Sequence, residues 1–414
     1  MGKIRYSNKA IVALCTIAYF ASYFSRKTFA VVMADMIPQV IDKDVAGLVG
    51  TALFVFYGLG QLISGYMGDK YDPKKLMFAG LLVSALCNIL LPIVPNQYLM
   101  IPVWAVNGFA QALLWPPIVR ILSDNLSHEK YVTANLVVTV GAHVSTILLY
   151  VYAPICISFM SWKAVFFTSG AFCVVVGIVF IALMSYVLNK EEKIEPTKIK
   201  KEQESRAKKE SLMHLFSRTG VITIFGAITA MGFMRDGIES WLPTLYSEAF
   251  GRDSSESILL SVILPVFAII SIFVIRAIHR GKLFNNEARG SGILFVMSIA
   301  FCIPASFLVN IDSPVARTIC LVLAGLCNAC MHACNFLLIG CVPGRFAGSG
   351  RASTISGVCN ACTYIGAAIS MYGIALVSDW LGWSATIISW IAICLIGLVF
   401  SIASYKKYTT LVKE

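Results

Sequence analysis

Two arginines stand where arginine is costly. Arg26 and Arg235 both interrupt long apolar stretches. A charge at the centre of a membrane-spanning helix costs roughly 2.5–3.5 kcal/mol on insertion scales, so each one needs a partner or a task. Arg26 lies sixteen residues beyond Ala10, and Arg235 sixteen beyond Thr219. At the rise of an α-helix both come out ~24 Å along, around mid-depth. A guanidinium is always charged and presents a planar fork of donors matched to carboxylate or phosphate. Tyr19, Tyr23 and Arg26 are spaced four and three residues apart, one stripe of a helix, and Tyr57 offers a further hydroxyl. His143, in Val140-Gly141-Ala142-His143, is a lone imidazole inside an apolar run. It can bond an anion or titrate. The pattern is that of a receptor for a small anion, with the two guanidiniums expected to face one another. For Arg235 the alternative is a buried ion pair, since Glu239 follows four residues on and Asp236 is adjacent. Both hold if the anion competes with Glu239. Lys27 points about 100° away from Arg26 and reads as a packing or gating charge.

These residues need helices to place them, and the composition supplies helices. Hydrophobic residues make up 58% of the 414 and charged residues 13%, against about 25% charged in a soluble domain. Ile11–Phe24, Val45–Gly68, Leu76–Pro92, Leu99–Leu122, Val132–Phe159 and Val165–Leu188 are apolar runs. Val221–Leu245, Ile258–Ile275, Ile293–Val309, Val315–Val342, Ala352–Val377 and Trp383–Ala403 are six more. Most approach the roughly 20 residues that cross a bilayer, and none alternates as a barrel strand would. The polar Glu191–Glu210 stretch separates two sets of six. The expected plan is an N-terminal half over 1–188, a cytoplasmic linker over 189–217 and a C-terminal half over 218–414.

The net charge of +11 does not point to nucleic acid. Odd-numbered loops hold only Lys43, Lys163, Arg252 and Arg317, while the even-numbered loops and tails carry most of the 33 Lys and Arg. That bias places both ends in the cytoplasm of a multi-pass inner (plasma) membrane protein. The first span lacks a small-residue cleavage site and leads into another span, so no cleaved leader is expected. Nearly all thirteen cysteines fall in apolar runs and read as small hydrophobes. Cys327, Cys330, Cys334 and His332 share one helical run, and they read as packing rather than as a metal site.

Gly65-Tyr66-Met67-Gly68-Asp69-Lys70-Tyr71-Asp72-Pro73-Lys74-Lys75 joins spans two and three. It resembles the G-x-x-x-D-[RK]-x-x-x-x-[RK] loop of the major facilitator superfamily, whose gating role would put Asp69 against a neighbouring helix end or a basic residue. In the second half the loop Arg276–Gly292 is basic without the pattern. Tyr19-Phe20-Ala21-Ser22-Tyr23-Phe24-Ser25-Arg26-Lys27-Thr28-Phe29 resembles the first span of the organophosphate:phosphate antiporters, which include glycerol-3-phosphate and hexose-6-phosphate transporters. Trp115-Pro116-Pro117 with Arg120 resembles the fourth span of that family and Ala142-His143 its fifth. Arg235-Asp236-Gly237 with Trp241 and Pro243 resembles the seventh, and Tyr364-Ile365-Gly366 the eleventh. The resemblance implies that Arg26 and Arg235 bind phosphate while Tyr19, Tyr23, Tyr57, His143 and Tyr364 line the cavity. Three positions depart from it: Gln61 replaces a lysine, Val140 an asparagine, and Glu239 is an acid shifted by one residue.

The fold expected is all-α, with twelve transmembrane helices in two pseudo-symmetric six-helix bundles. The expected function is secondary transport of small organic anions by alternating access, with organophosphates exchanged for inorganic phosphate. Arg26, Arg235, Tyr19, Tyr23, Tyr57, Gln61, His143, Glu239, Tyr364 and Lys27 are the expected binding residues. No catalysis, cofactor or metal is expected. The partners would be the anion, inorganic phosphate or protons, and the bilayer, with the chain a monomer. No G-x-x-x-x-G-K-[ST] occurs, which disfavours direct ATP drive. The alternatives are a proton-coupled carboxylate or sugar-acid symporter and a sugar-phosphate membrane sensor. A drug exporter is disfavoured, because two mid-membrane arginines repel cations.

Overall fold

Lipid offers no partner for backbone N–H and C=O groups, so long apolar segments close their hydrogen bonds internally as helices. The computed structural model follows that rule. It describes residues 2–188, 219–279, 281, 283–349 and 352–413. The expected linker over 189–217 and the side chain of Asp69 lie outside the described residues. The helices are α1 (Gly2–Met36), α2 (Lys43–Lys70), α3 (Pro73–Leu90), α4 (Met100–Ala112), α5 (Trp115–Asn125), α6 (His128–Phe159) and α7 (Trp162–Leu188). They continue as α8 (Val221–Phe250), α9 (Ser254–Leu260), α10 (Ile263–Ile278), α11 (Glu287–Leu308), α12 (Pro314–Asn335) and α13 (Ala352–Lys413).

Ten stretches among the described residues are long and apolar enough to cross a membrane. The last of them, Ile355–Thr410, is broken at Gly382, whose φ of 79° ends one helix and starts another. α1 is not among the ten, because Arg26, Lys27 and its tyrosines and serines dilute its hydropathy. With α1 and the two arms of α13 counted, the twelve expected spans are accounted for. α7 shows how such a helix meets lipid. Val175, Ile178, Val179 and Leu183 are exposed apolar residues on one side, while Cys173, Val176, Phe180 and Met184 are buried on the other.

The chain forms two compact units. One holds α1 to α7 together with Arg252–Pro265. Here α1 packs against α6 and α7, and α2 against α4. Cys15, Ala18, Ala21, Leu81, Phe180 and Met184 belong to its core. A polar seam crosses that core, where Gln111 accepts from Ser22 and donates to Ser25 and Ser84. Arg120 donates to the Tyr71 carbonyl at 3.3 Å, anchoring α5 to the turn between α2 and α3. In that turn Asp72 caps α3 by accepting from the backbone of Lys74, with Pro73 at the first helical position. Ser254 at the start of α9 donates to Asp35 at 2.6 Å.

The other unit holds α8, Val266 onward in α10, α11, α12 and α13. Its tightest seam joins α8 to α13, where a methyl group on Gly366 would collide with the Thr229 carbonyl and one on Gly232 with the Thr363 carbonyl. The loop that reads as basic and patternless is anchored by another pair. Glu287, buried at the start of α11, takes two bonds from Arg345, at 3.0 and 2.8 Å.

Candidate functional site

In the first unit the guanidinium of Arg26 sits among aromatic rings. Its Cζ lies 4.1 Å from the centre of the Tyr23 ring and 5.0 Å from that of Tyr57. Tyr19 completes the stripe, 4.9 Å from Tyr23 and 5.1 Å from Trp115 between ring centres. Arg26 is 8% exposed and Tyr57 2%. A buried cation over aromatic faces gains about 0.5–2 kcal/mol. Those faces meet the guanidinium carbon, whereas an anion binds the N–H edge. Gln61 follows Tyr57 by one turn of α2, and its Nε2 is buried without a hydrogen-bond partner among the described residues. His143 is buried on α6, two residues from Ser145, which bonds the Phe20 carbonyl on α1. Lys27 is half-buried on α1.

In the second unit Arg235 is held by polar groups. One guanidinium nitrogen lies 2.6 Å from Asp236 Oδ2 and the other donates to Asn335 Oδ1 on α12 at 2.7 Å. Adjacent residues of a helix point about 100° apart, so the contact with Asp236 bends both side chains together. Glu239, which its spacing assigns to Arg235, is bonded instead to His332, with 2.6 Å between Oε1 and Nε2. The difference has a simple origin, since α12 presents His332 and Asn335 to this face of α8. Glu239 and Tyr364 lie in the neighbourhood of Arg235. Trp241, near the same stretch of α8, is buried 6.4 Å from Trp383 between ring centres.

The structure therefore brings Tyr19, Tyr23, Arg26 and Tyr57 together in one unit and Arg235, Glu239 and Tyr364 in the other. Asn335 and the pairing role of His332 escape the sequence reading. A signal for them exists: Asn328, His332 and Asn335 are spaced four and three apart on α12, as Tyr19, Tyr23 and Arg26 are on α1. The neighbouring cysteines drew the reading toward close helix packing and away from a polar face. All thirteen cysteines are free thiols, and no metal-holding cluster occurs among the described residues.

The sequence profile of the Major Facilitator Superfamily matches residues 15–371. The chain belongs to that superfamily. Among its relatives is the "Probable hexose phosphate transport protein" of Chlamydia muridarum, 30% identical over 39% of this chain and 36% of that protein. This chain thus aligns with little more than a third of the hexose phosphate relatives it matches. The glycerol-3-phosphate transporter of Bacillus subtilis is 24% identical over 93% of this chain and 89% of its own length. A crystal structure of a POT family transporter in complex with 5-aminolevulinic acid superposes with a TM-score of 0.74 over 97% of this chain and 96% of the other, at 11% identity. The fold is thus that of the major facilitator transporters, a multi-pass membrane architecture.

Proposed function

We propose that the protein is a secondary transporter of small phosphorylated organic anions, exchanging them for inorganic phosphate by alternating access. The observation that carries this reading is the pair of buried guanidiniums, each on the first long helix of its half, one over tyrosine faces and one bonded to Asp236 and Asn335. Two guanidiniums can match a phosphate monoester, which carries about −1.5 to −2 at pH 7, once the anion takes the place of Asp236 at Arg235. The relatives' names support the substrate class, and the B. subtilis alignment spans nearly the whole chain. Arg26 and Arg235 bind the anion, with Tyr19, Tyr23, Tyr57, Gln61, His143 and Tyr364 around it; Glu239 and Lys27 tune the local charge. The protein acts without catalysis, as a monomer in the inner (plasma) membrane, with both ends cytoplasmic.

Proteoliposomes loaded with inorganic phosphate test the exchange. External glycerol-3-phosphate or glucose-6-phosphate should release labelled phosphate in wild type and not in R26A. Release by sugar acids alone, insensitive to phosphate, would favour a proton-coupled carboxylate symporter. For the orientation, a single cysteine at position 200 should resist an impermeant thiol reagent on intact cells. Labelling from outside would reverse the topology.

A further inference from the structure

Glu239 and His332 meet at 2.6 Å inside the second unit, with side chains 12% and 8% exposed. At that distance one of the two groups donates a hydrogen bond to the other, and an added proton would have two basic atoms within reach. Several charged and titratable groups surround it. On α8, Arg235 is bonded to Asp236 at 2.6 Å, so the nearest fixed charges oppose one another. From α13, the phenol of Tyr364 lies in the neighbourhood of Arg235. On α12 itself Cys330 and Cys334 flank His332 in sequence, and Cys302 of α11 meets Cys327 at 3.6 Å. One turn along α12 from His332, Asn328 is fully buried. Neither polar atom of its amide has a hydrogen-bond partner among the described residues. Such a group recruits a water or a ligand atom, which is what a proton needs to reach a buried pair.

We propose that Glu239 and His332 form a proton-binding site linked to the anion at Arg235. The proposal rests on the reading of Arg235 as an anion ligand. Because Asp236 already opposes the charge of Arg235, an arriving anion adds negative potential beside the pair and favours one more proton on it. The proton comes from water and returns to water, and only N–H and O–H bonds form or break. Linkage is reciprocal: if the anion tightens the proton, the proton tightens the anion. Anion binding to this protein then takes up a proton.

Sulfate is the probe, because its charge is constant between pH 5 and 8 whereas that of phosphate is not. Purified protein in lipid nanodiscs is titrated calorimetrically in two buffers of different ionisation heat, which counts protons taken up on binding. Wild type should take up a proton, and its sulfate affinity should rise roughly tenfold per pH unit lost across the window where the pair titrates, the slope of one linked proton. In E239Q and H332Q both the uptake and the slope should vanish. A second readout needs no anion. Infrared difference spectra between pH 5 and 8 should contain a carboxyl band that E239Q removes and H332Q shifts. If E239Q fails to fold, labelled imidazole in wild type reports the titration of His332 directly, the other four histidines being assigned by single substitution. Proton counts and spectra of E239Q identical to wild type, or a His332 signal that does not move with pH, would overturn the proposal. If neither sulfate nor phosphate binds wild type, the anion reading and the linkage fall, while the infrared titration still decides whether the pair binds a proton.

Discussion

The same buried charge is kept in two different ways. Around Arg26 the described contacts are faces of Tyr23 and Tyr57. Around Arg235 they are a carboxylate and an amide. An aromatic face stabilises a cation without cancelling its charge, whereas a carboxylate at 2.6 Å largely cancels it. The difference teaches that equivalent positions in the two halves need not contribute equally to an anion site. An anion that binds both arginines must draw Arg235 from the carboxylate of Asp236, whereas the rings beside Arg26 bring no charge of their own.

Removing each arginine gives the largest contrast. R235A leaves Asp236 buried without its cation, and breaking a buried pair from one side costs about 3–5 kcal/mol of stability. Thermal unfolding of R235A should therefore drop below that of R26A, whose contacts with the Tyr23 and Tyr57 faces are worth about 0.5–2 kcal/mol. Equal unfolding temperatures would mean that the Asp236 pair is solvated and the contrast is lost.

Anion affinity comes next. R26A should weaken sulfate or organophosphate binding about 30-fold or more, the usual result of deleting one charged partner in a desolvated site. R26K should recover little, because an ammonium lacks the fork. Full binding by R26A would make that arginine structural.

D236N sharpens the comparison from the other side. It removes the standing counter-charge while keeping a hydrogen-bond acceptor, so Arg235 should bind anions more tightly, on the order of tenfold for 1.4 kcal/mol of lost competition. Weaker binding would mean that Asp236 positions Arg235 rather than competing with substrate.

The smallest effect is expected at Gln61. Its amide Nε2 has no hydrogen-bond partner among the described residues, and it stands where the glycerol-phosphate pattern carries lysine. Q61K should tighten dianionic phosphate a few-fold more than a monocarboxylate, with the gain growing above pH ~6 as the second phosphate proton leaves. Equal gains for both ligands would show that position 61 does not sense substrate charge.

Much of this was legible in the chain. Runs of apolar residues dictate helices because lipid cannot solvate a peptide group, and that rule needs no tertiary information. The four-and-three spacing of Tyr19, Tyr23 and Arg26 fixes them on one face, and the structure finds them in contact through that face. Spacing along one helix, however, does not say which side chain from another helix arrives first. Glu239, one turn from Arg235, and the adjacent Asp236 both read as its partner; Asp236 takes that place, while α12 brings His332 to Glu239 and Asn335 to Arg235.

The sequence by itself determined the class of the protein. Its hydropathy, the two costly arginines and the loop between spans two and three lead to a twelve-span transporter architecture, because those signals are local and every residue carries its own transfer energy. The tertiary structure alone decided the partners: which acid meets which base on α8, which rings hold Arg26, and which pair anchors the start of α11. Pairing energies depend on distance and burial between residues some hundred positions apart, such as Arg235 and Asn335, and no spacing along the chain encodes that approach.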